Sequence, residues 1–442
     1  MIQVSLMDMI FGISDALDLV GVDDYLHGKR VAVIAAECAR ELGLSPNERN
    51  TVLYGGMLHD CGVSSTKTHR SLVNELDWSG SQSHCLRGAS LVEQFAPLAH
   101  FAPIITHHHT HWCDLPRHLS PTIARDANLI YLADRVDALT AHHNEKPEYL
   151  LHKDYCRNVV AENAGVRFSP ELAAAFLTVS KRESFWLHLE PRYIWRYLSS
   201  AAVDTTHALL DFPGLRSLAR IFSDIIDAKS PFTVEHSLCV AQLARHLAER
   251  LGLDPDTCDK IEIAGMLHDL GKLRVPDEVL ENTGPLDAGQ RAAILRHSFE
   301  TFQILSWIRG FDDIALWAAA HHERLDGNGY PFHFKGDELP LPARIIAVAD
   351  ICQALVQDRP YRTSLAAEQV IEQLNALVLE QHLDGQVVRA LCGDFERCWV
   401  LAQSVSKSIY THERLGETVF APKRRDVDKK GAVAGRKRRA NC

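Results

Sequence analysis

The amino-acid sequence contains one internal duplication. ISDALD (Ile13 to Asp18) matches FSDIID (Phe222 to Asp227), and GGMLHD (Gly55 to Asp60) matches AGMLHD (Ala264 to Asp269), both at an offset of 209 residues. The offset grows slightly towards Asp350, which indicates small loop insertions in the second copy. Two copies of roughly 200 residues predict two domains, because the repeats of a solenoid are much shorter.

Both copies have the periodicity of helices. Apolar residues recur at spacings of three and four in VAVIAAECARELGL (from Val31) and in SLCVAQLARHLAERLGL (from Ser237), and each stretch ends at a Leu-Gly-Leu stop. Ser230 and Pro231 are typical N-cap and first-turn residues, and Asp287 with Gln290 forms a capping-box pattern. No sustained alternation typical of strands occurs in the sequence, so the predicted fold class is all-α.

The helical periodicity breaks between Ser199 and Gly214, where we expect the two copies to join. We therefore predict a first domain at residues 1–205, a second at 206–415 and a basic tail at 416–442. The tail is rich in Lys and Arg, and its composition predicts disorder. A solubilising or mobile end is the simpler interpretation of this tail, ahead of a patch that binds nucleic acid or a partner.

Charge and cysteine content narrow the class of protein. The net charge of -10 argues against non-specific nucleic-acid binding, but it permits an anionic substrate because bound metal ions dominate a local field. Eleven cysteines without a CxxC pair are typical of a reducing compartment.

The N-terminus lacks the basic segment of a signal peptide, and no apolar run reaches the length of a membrane span. We expect a cytoplasmic protein without a membrane role of its own.

A His-Asp pair, a later His-His pair and a distant Asp recur in the same order in both copies. Imidazole and carboxylate ligands together suit Mn, Fe, Ni or Zn. The carboxylate of an adjacent His-Asp pair is able to bridge two ions, and two ions about 3.5–4 Å apart stabilise the attacking and leaving oxygens of a phosphate ester. A single His on an apolar face is more often structural, but an ordered set that occurs twice favours metal binding. The second copy offers His236, His268, Asp269, His297, His321, His322 and Asp350.

The adjacent histidines leave two arrangements open. Neighbours on a helix point about 100° apart. His321 and His322 therefore suit two different ions, or a helix end, better than one shared ion.

The second copy resembles the HD-GYP family of the HD phosphohydrolase superfamily between about residues 220 and 390. The matching segments are HDLGKLRVPDEVL (from His268), HHERLDGNGYP (from His321), ARIIAVAD (from Ala343) and DRPYR (from Asp358). The resemblance implies tandem HD-type helical domains and a two- or three-metal site. It also implies a metal-dependent phosphodiesterase that converts cyclic di-GMP to pGpG or GMP, or that prefers 3′,3′ cyclic GMP-AMP.

The resemblance also implies roles for individual residues. The seven candidates above would bind the divalent ions, and His268, Asp269 and Lys272 would form the catalytic set. Lys272, Arg359, Arg362 and Tyr330 would bind the substrate, since cations stabilise phosphate oxygens on the face opposite the metals. Tyr330 and Pro331 would shape a loop that encloses substrate or docks a signalling partner, such as a GGDEF-type protein. A purely structural turn is the alternative for these two residues.

Two positions depart from the HD-GYP pattern. Phe232 stands where a Glu supports a third metal in some relatives, which favours two ions in this chain. Gln353 stands where the family often has Asp, three residues after Asp350. We expect this replacement to weaken a contact that supports a metal ligand.

The first copy resembles the broader HD superfamily. Its corresponding candidates for a second metal site are His27, His59, Asp60, His84, His107, His108 and Asp134, although the run of histidines at 107–109 leaves the register of the pair open. Val63 replaces Lys272, and no counterpart of DRPYR is present. One hypothesis is a 5′-nucleotidase-like phosphomonoesterase that acts on the linear product of the second copy. The other is a metal-loaded regulatory or dimerisation domain.

Three functions of the whole chain follow from these patterns. The leading prediction is a metal-dependent cyclic dinucleotide phosphodiesterase. The alternatives are a phosphomonoesterase and a cyclic-dinucleotide receptor that binds without turnover. The intact set of candidate ligands together with Lys272, Arg359 and Arg362 favours turnover over binding alone.

Overall fold

Helices make up almost all of the regular structure in the computed structural model, which describes residues 3–21, 26–74, 78, 80–141, 149–201, 209–229, 236–357 and 364–403. The first copy contains α1 (Leu6–Asp18), α2 (His27–Glu41), α3 (Pro46–Leu58), α4 (Thr66–Asn74), α5 (Gln82–Glu93), α6 (Ala102–His107), α7 (Pro121–Ala141), α8 (Tyr149–Glu162), α9 (Pro170–Val179), α10 (Glu183–Leu187) and α11 (Pro191–Ala201). Short 3-10 turns at Leu19–Gly21, Ala99–Phe101 and Trp112–Asp114 join some of them.

The second copy continues with ten further helices among the described residues. They are α12 (Phe212–Asp227), α13 (His236–Arg250), α14 (Pro255–Leu267), α15 (Asp277–Leu280), α16 (Ala288–Ser306), α17 (Asp312–Ala319), α18 (Leu341–Val356), α19 (Ala367–Leu379), α20 (Gly385–Cys392) and α21 (Phe395–Gln403), with 3-10 turns at Leu270–Arg274, Ala320–His322 and Gly336–Glu338. Two short strands, β1 (Val4–Ser5) and β2 (Leu209–Leu210), pair antiparallel. The all-α prediction is confirmed.

The helix stops read from the sequence are present in the structure. Gly43 and Gly252 adopt left-handed backbone angles, with φ of 70° and 76°, directly after α2 and α13. Glycine reaches this conformation without steric cost, which is why it ends helices so often. The capping box at α16 is also confirmed, because Gln290 N donates to Asp287 Oδ1 at 2.8 Å. Ser230 and Pro231 lie outside the described residues.

A close helix crossing is repeated in both copies. A Cβ atom added at Gly56 of α3 would lie 2.9 Å from Ala32 Cα of α2, and one added at Gly265 of α14 would lie 2.8 Å from Ala241 Cα of α13. Only glycine leaves room for backbones this close. The crossing brings the C-terminal end of one helix beside the N-terminal half of the other.

The two copies pack against each other within one compact unit that ends at Gln403. Strands β1 and β2 join them, Asp8 of α1 pairs with Arg309 at 2.8 Å, and Trp195 stacks on Trp307 with ring centroids 6.0 Å apart. The predicted boundary at 205/206 and the predicted tail at 416–442 fall outside the described residues. The domain limits therefore stay predictions.

No disulfide joins the cysteines that the structure describes. Within the described part of the chain, no helix combines the length and the apolar character needed to cross a bilayer.

The helix crossing yields a stability prediction. We expect Gly265→Ala to lower the free energy of unfolding by about 1–3 kcal/mol, because the added methyl group overlaps the backbone of α13. Gly289→Ala is the matched control, since Gly289 is exposed in the first turn of α16 and alanine favours helix there by up to about 1 kcal/mol. Urea unfolding followed by circular dichroism measures both. Equal midpoints for Gly265→Ala and wild type would contradict the close crossing.

Candidate metal centres

The fold brings all seven predicted ligands of the second copy to one buried place. They come from five helical segments. His236 begins α13, His268 and Asp269 follow α14, His297 lies in α16, His321 and His322 lie in the 3-10 turn after α17, and Asp350 lies in α18. We call this set the C-terminal centre.

The Asp269 carboxylate lies between two groups of histidines in the C-terminal centre. Its Oδ2 lies 3.4 Å from His268 Nε2 and 3.7 Å from His236 Nε2. Its Oδ1 lies 3.6 Å from His297 Nε2 and 3.7 Å from His321 Nε2. One carboxylate therefore presents one oxygen to each of two histidine groups, as the bridging role requires.

Each histidine group has the composition of a metal site. The ligand atoms of His236, His268 and Asp350 lie within 4.8 Å of one another, and so do those of His297, His321 and His322. A further group of His268, Asp269 and His321 crosses between them. His321 and His322 thus lie in one group at a helix end, although we expected the pair to suit one shared ion less well than two ions. Their role as metal ligands stays a prediction.

Backbone and side-chain acceptors orient the imidazoles. The Nδ1 atoms of His268, His297 and His321 each lie 2.6–2.8 Å from the carbonyl oxygen three residues earlier. A carbonyl only accepts, so each Nδ1 carries a proton, and in the neutral form of the ring the Nε2 lone pair faces the centre. Asp269 Oδ1 is buried and has no hydrogen-bond partner among the described residues. An oriented set of lone pairs around an unpaired carboxylate oxygen fits a divalent cation.

Gln353 keeps the contact that we expected its replacement of Asp to weaken. Its Oε1 lies 2.6 Å from His236 Nδ1 and accepts a hydrogen bond from it. In the first copy Asp137 has the equivalent role, with Oδ2 at 2.8 Å from His27 Nδ1, and Arg30 pairs with the same carboxylate at 2.6 Å. The contact is therefore present in both copies, and what differs between them is the charge of the acceptor. Whether the neutral acceptor weakens the contact, as we expected, stays a prediction.

Charges in the C-terminal centre separate the protonation states of its histidines. Burial alone would lower the pKa of His268, but the carboxylates of Asp269 and Asp350 raise it to about 9. Burial and the neighbouring His322 lower the pKa of His297 to about 3, and burial lowers that of His322 to about 4. Although burial raises the pKa of Asp269, His268 and Lys272 hold it well below its usual value. Asp269 is therefore ionised at neutral pH.

The predicted substrate-binding residues are described in part. Lys272 Nζ lies 2.5 Å from Asp269 Oδ2, and the lysine side chain is 26% exposed, so it contacts the centre and solvent. The Tyr330 ring lies 4.8 Å from that of His322. Arg359, Arg362 and Phe232 lie outside the described residues.

The loop that carries Tyr330 folds around the buried carboxylate of Glu323. The backbone amides of Phe332 and His333 donate to Glu323 Oε1 at 2.6 and 3.0 Å. Gly327 has a φ of 80°, and a Cβ at Gly329 would lie 2.4 Å from Glu323 Cα. Both glycines are therefore needed for the tight turn predicted beside the ligands.

The first copy contains an equivalent cluster, which we call the N-terminal centre. His27, His59 and Asp134 form one group, and Asp60, His84, His108 and His109 form the other. Asp60 again faces both groups, with Oδ2 at 3.5 Å from His59 Nε2 and Oδ1 at 3.3 Å from His84 Nε2. His59 Nε2 and Asp60 Oδ1 are buried without hydrogen-bond partners among the described residues. These atoms fit a cation as those of the C-terminal centre do.

The histidine pair of the N-terminal centre is one residue later than predicted. The structure brings His108 and His109 to the site, whereas His107 ends α6, is partly exposed and faces Thr110 Oγ1 at 3.5 Å. The prediction of His107 was therefore wrong. The offset between the copies indicated the correct pair. His84 and His297 differ by 213 positions, and the same offset aligns His108 with His321.

Two further residues beside the N-terminal centre had no signal in the sequence. Arg135 is buried, and its Nη2 lies 2.7 Å from Asp134 Oδ2. Cys85 Sγ lies 3.7 Å from His84 Nε2, where the second copy has Ser298 Oγ at 3.2 Å from His297 Nε2. The burial of Cys85 would raise its pKa, but the imidazoles of His108 and His84 lower it to about 6.

Comparisons with known proteins agree with this geometry. Two family models, each described as HD domain, match residues 220–387 and 25–139. The chain is 36% identical over 406 residues to 3'3'-cGAMP-specific phosphodiesterase 1 of Vibrio cholerae, covering 90% of this chain and 94% of that protein. It is 39% identical over 139 residues to the cyclic di-GMP phosphodiesterase response regulator RpfG of Xanthomonas campestris, covering 31% of this chain and 37% of that protein.

A solved structure has the same fold. The crystal structure of a cyclic GMP-AMP specific phosphodiesterase of V. cholerae (V-cGAP3) superposes with a TM-score of 0.64. The superposition covers 89% of this chain and 98% of that chain, at 24% sequence identity.

The pKa of His268 predicts how metal affinity depends on pH. At pH 7 the metal-free imidazole carries a proton, because its pKa of about 9 lies above the usual 6.5, and a metal ion must displace that proton. We therefore expect the affinity for Mn²⁺ to rise about tenfold per pH unit between pH 6.5 and 8.5. Anaerobic calorimetry in buffers of different ionisation enthalpy counts the released proton. The measurement is made in His59→Ala/Asp60→Ala, which removes two candidate ligands of the second metal site in the first copy. If the Mn²⁺ affinity of this variant does not depend on pH, the prediction is contradicted.

Proposed function

This chain belongs to the HD-GYP family of metal-dependent HD-domain phosphohydrolases, and we propose that its C-terminal centre opens the ring of 3′3′ cyclic GMP-AMP. The observation that carries the proposal is the Asp269 carboxylate, which faces two histidine groups and the Lys272 ammonium at once. The V. cholerae relative that covers nine-tenths of this chain bears the name of a 3'3'-cGAMP-specific enzyme. Cyclic di-GMP is the competing substrate, since RpfG, which matches a third of the chain, is named for it.

We assign one divalent ion to each histidine group of the C-terminal centre, with Mn, Fe, Ni and Zn as candidates. Bound ions would supply Lewis acidity and a water of lowered pKa. The lowered pKa values of His297 and His322 and the ionised Asp269 would let these groups bind such ions without first losing a proton, whereas His268 would have to lose one. The ammonium group of Lys272 is close enough to the centre to offset charge on a phosphate oxygen. Arg359 and Arg362 are proposed to contact the phosphates as well.

The Tyr330 ring forms a wall of the C-terminal centre beside His322, which supports a role in enclosing substrate. Docking of a GGDEF-type or other signalling protein on the loop around Tyr330 stays a prediction. The two hypotheses for the N-terminal centre, a phosphomonoesterase and a metal-loaded regulatory or dimerisation domain, also stay predictions. Its unpaired ligand atoms support metal binding and do not favour a phosphomonoesterase over a regulatory domain.

The test of the proposed function is ring opening followed by chromatography. Purified full-length protein with Mn²⁺ or Fe²⁺ is incubated separately with 3′3′ cyclic GMP-AMP, cyclic di-GMP and pGpG. We expect a linear dinucleotide from cyclic GMP-AMP, lowered about a thousandfold or more in His268→Ala/Asp269→Ala. Lys272→Met should lower kcat/KM by about a hundredfold, because one cation beside the reacting phosphate is lost.

The matched control is His59→Ala/Asp60→Ala, which removes the same residue pair from the N-terminal centre. Ring opening should persist in this variant. If wild type releases phosphate from pGpG and only this variant does not, the N-terminal centre is a phosphomonoesterase. Binding of the cyclic dinucleotides without conversion under either metal would contradict the phosphodiesterase and favour a receptor.

A further inference from the structure

Helix α4 of the first copy is capped by a residue of the second copy. The first amides of a helix have no partner within it, and a carboxylate near them is stabilised by the helix dipole. Asp277 Oδ1 accepts from Thr66 N at 3.2 Å, and Asp277 Oδ2 accepts from Lys67 N at 3.3 Å. Asp277 begins α15, eight residues after Asp269. The first two amides of α4 therefore bond to a side chain of the other copy, while Ser65 Oγ of the first copy accepts from the next amide, Thr68 N, at 3.0 Å.

Lys229 fixes Asp277 in this position. Its Nζ lies 2.9 Å from Asp277 Oδ1 and 2.9 Å from Thr66 Oγ1, and the lysine is buried. A buried ammonium group needs charged or polar partners, and these two oxygens supply them. Asp277, Lys229 and Thr66 thus form one hydrogen-bonded unit across the two copies, which we call the clamp.

The other end of α4 is tied to the N-terminal centre. Arg135 Nη2 donates to the Leu72 carbonyl at 3.2 Å. The same guanidinium group pairs with Asp134 Oδ2 at 2.7 Å, and Asp134 is a proposed metal ligand. Helix α4 therefore runs from the clamp at its first turn to the support of a ligand at its last turn.

His69 lies between these two ends and faces the N-terminal centre. It is 8% exposed, and its ring is edge-on to that of His27 with centroids 6.2 Å apart. His69 lines one cavity of about 20 Å³ together with His27, His59 and Asp60, enough room for a single water-sized group. Val63, which replaces the lysine of the other copy, lines the same cavity. His69 thus places a polar side chain in the lining of this cavity, where the first copy has no counterpart of Lys272.

We propose that the N-terminal centre is assembled by both copies: the clamp holds α4, and α4 holds His69 against the cavity beside Asp60. The proposal rests on the proposed binding of metal in the N-terminal centre. Asp277 and Lys229 are positioning residues, since they act through α4 and touch none of the proposed ligands. The consequence is that the second copy controls how completely the first centre forms.

Hydrogen–deuterium exchange and histidine modification test the clamp without any metal. In chelator-treated full-length protein, Asp277→Ala should speed the exchange of amides 66–74 at least about tenfold and expose His69 to diethyl pyrocarbonate. Asp254→Ala is the matched control, because Asp254 accepts from Thr257 N at 3.1 Å and caps α14 within its own copy. It should leave α4 and His69 as in wild type. Unchanged exchange and an unreactive His69 in Asp277→Ala would overturn the proposal.

Metal binding then tests the consequence for the N-terminal centre. In a His268→Ala/Asp269→Ala background, Mn²⁺ binding reports on that centre, and Asp277→Ala should weaken it about tenfold or more, as losses of supporting contacts do. Asp277→Asn keeps an acceptor for an amide and should recover part of the affinity. An affinity equal to that of the background would overturn the dependence on the clamp. If the background binds no Mn²⁺, the proposed metal binding fails, while the exchange result still decides whether the second copy holds α4.

Discussion

The C-terminal centre depends on one buried carboxylate. Asp269 is 1% exposed, and a charge so far from water is stable only beside opposite charge or hydrogen-bond donors. Lys272 supplies one such partner, and two histidine groups face the two oxygens. Helices from the whole second copy must converge on this group, and the glycine-mediated crossing of α13 and α14 brings His236 beside His268. The fold of the second copy can thus be understood as a scaffold around a carboxylate that has to be compensated.

The two copies keep this scaffold and differ in what surrounds it. In the second copy a neutral amide, Gln353, accepts from the first histidine of the centre, whereas in the first copy an ionised Asp137 does so and is compensated by Arg30. Such supporting contacts tune the basicity of a ligand. The second copy presents a lysine that is partly open to solvent, as a phosphate ester requires. The first copy has Val63 and the buried Arg135 instead.

Much of this could be predicted from the sequence, because it is local. The all-α fold, the helix stops at Gly43 and Gly252 and the capping box follow from periodicity and short-range chemistry. The candidate ligands of the second copy follow from motifs in which neighbouring positions are fixed, and the structure brings them together. The local sequence alone did not show that His108 and His109, rather than His107, reach the N-terminal centre, because three consecutive histidines carry no local signal. The offset between the two copies did contain that information. The contacts of Asp277 with α4 depend on how two distant segments pack, which no local pattern encodes.

We propose that the Asp269 carboxylate would bridge two divalent ions when the C-terminal centre is loaded. Anomalous diffraction from crystals of the full chain grown with Mn²⁺ would locate the ions. We expect two anomalous peaks in the C-terminal centre about 3.5–4 Å apart, with Asp269 Oδ1 bound to one and Oδ2 to the other. A single peak, or two peaks of which neither contacts Asp269, would contradict the account.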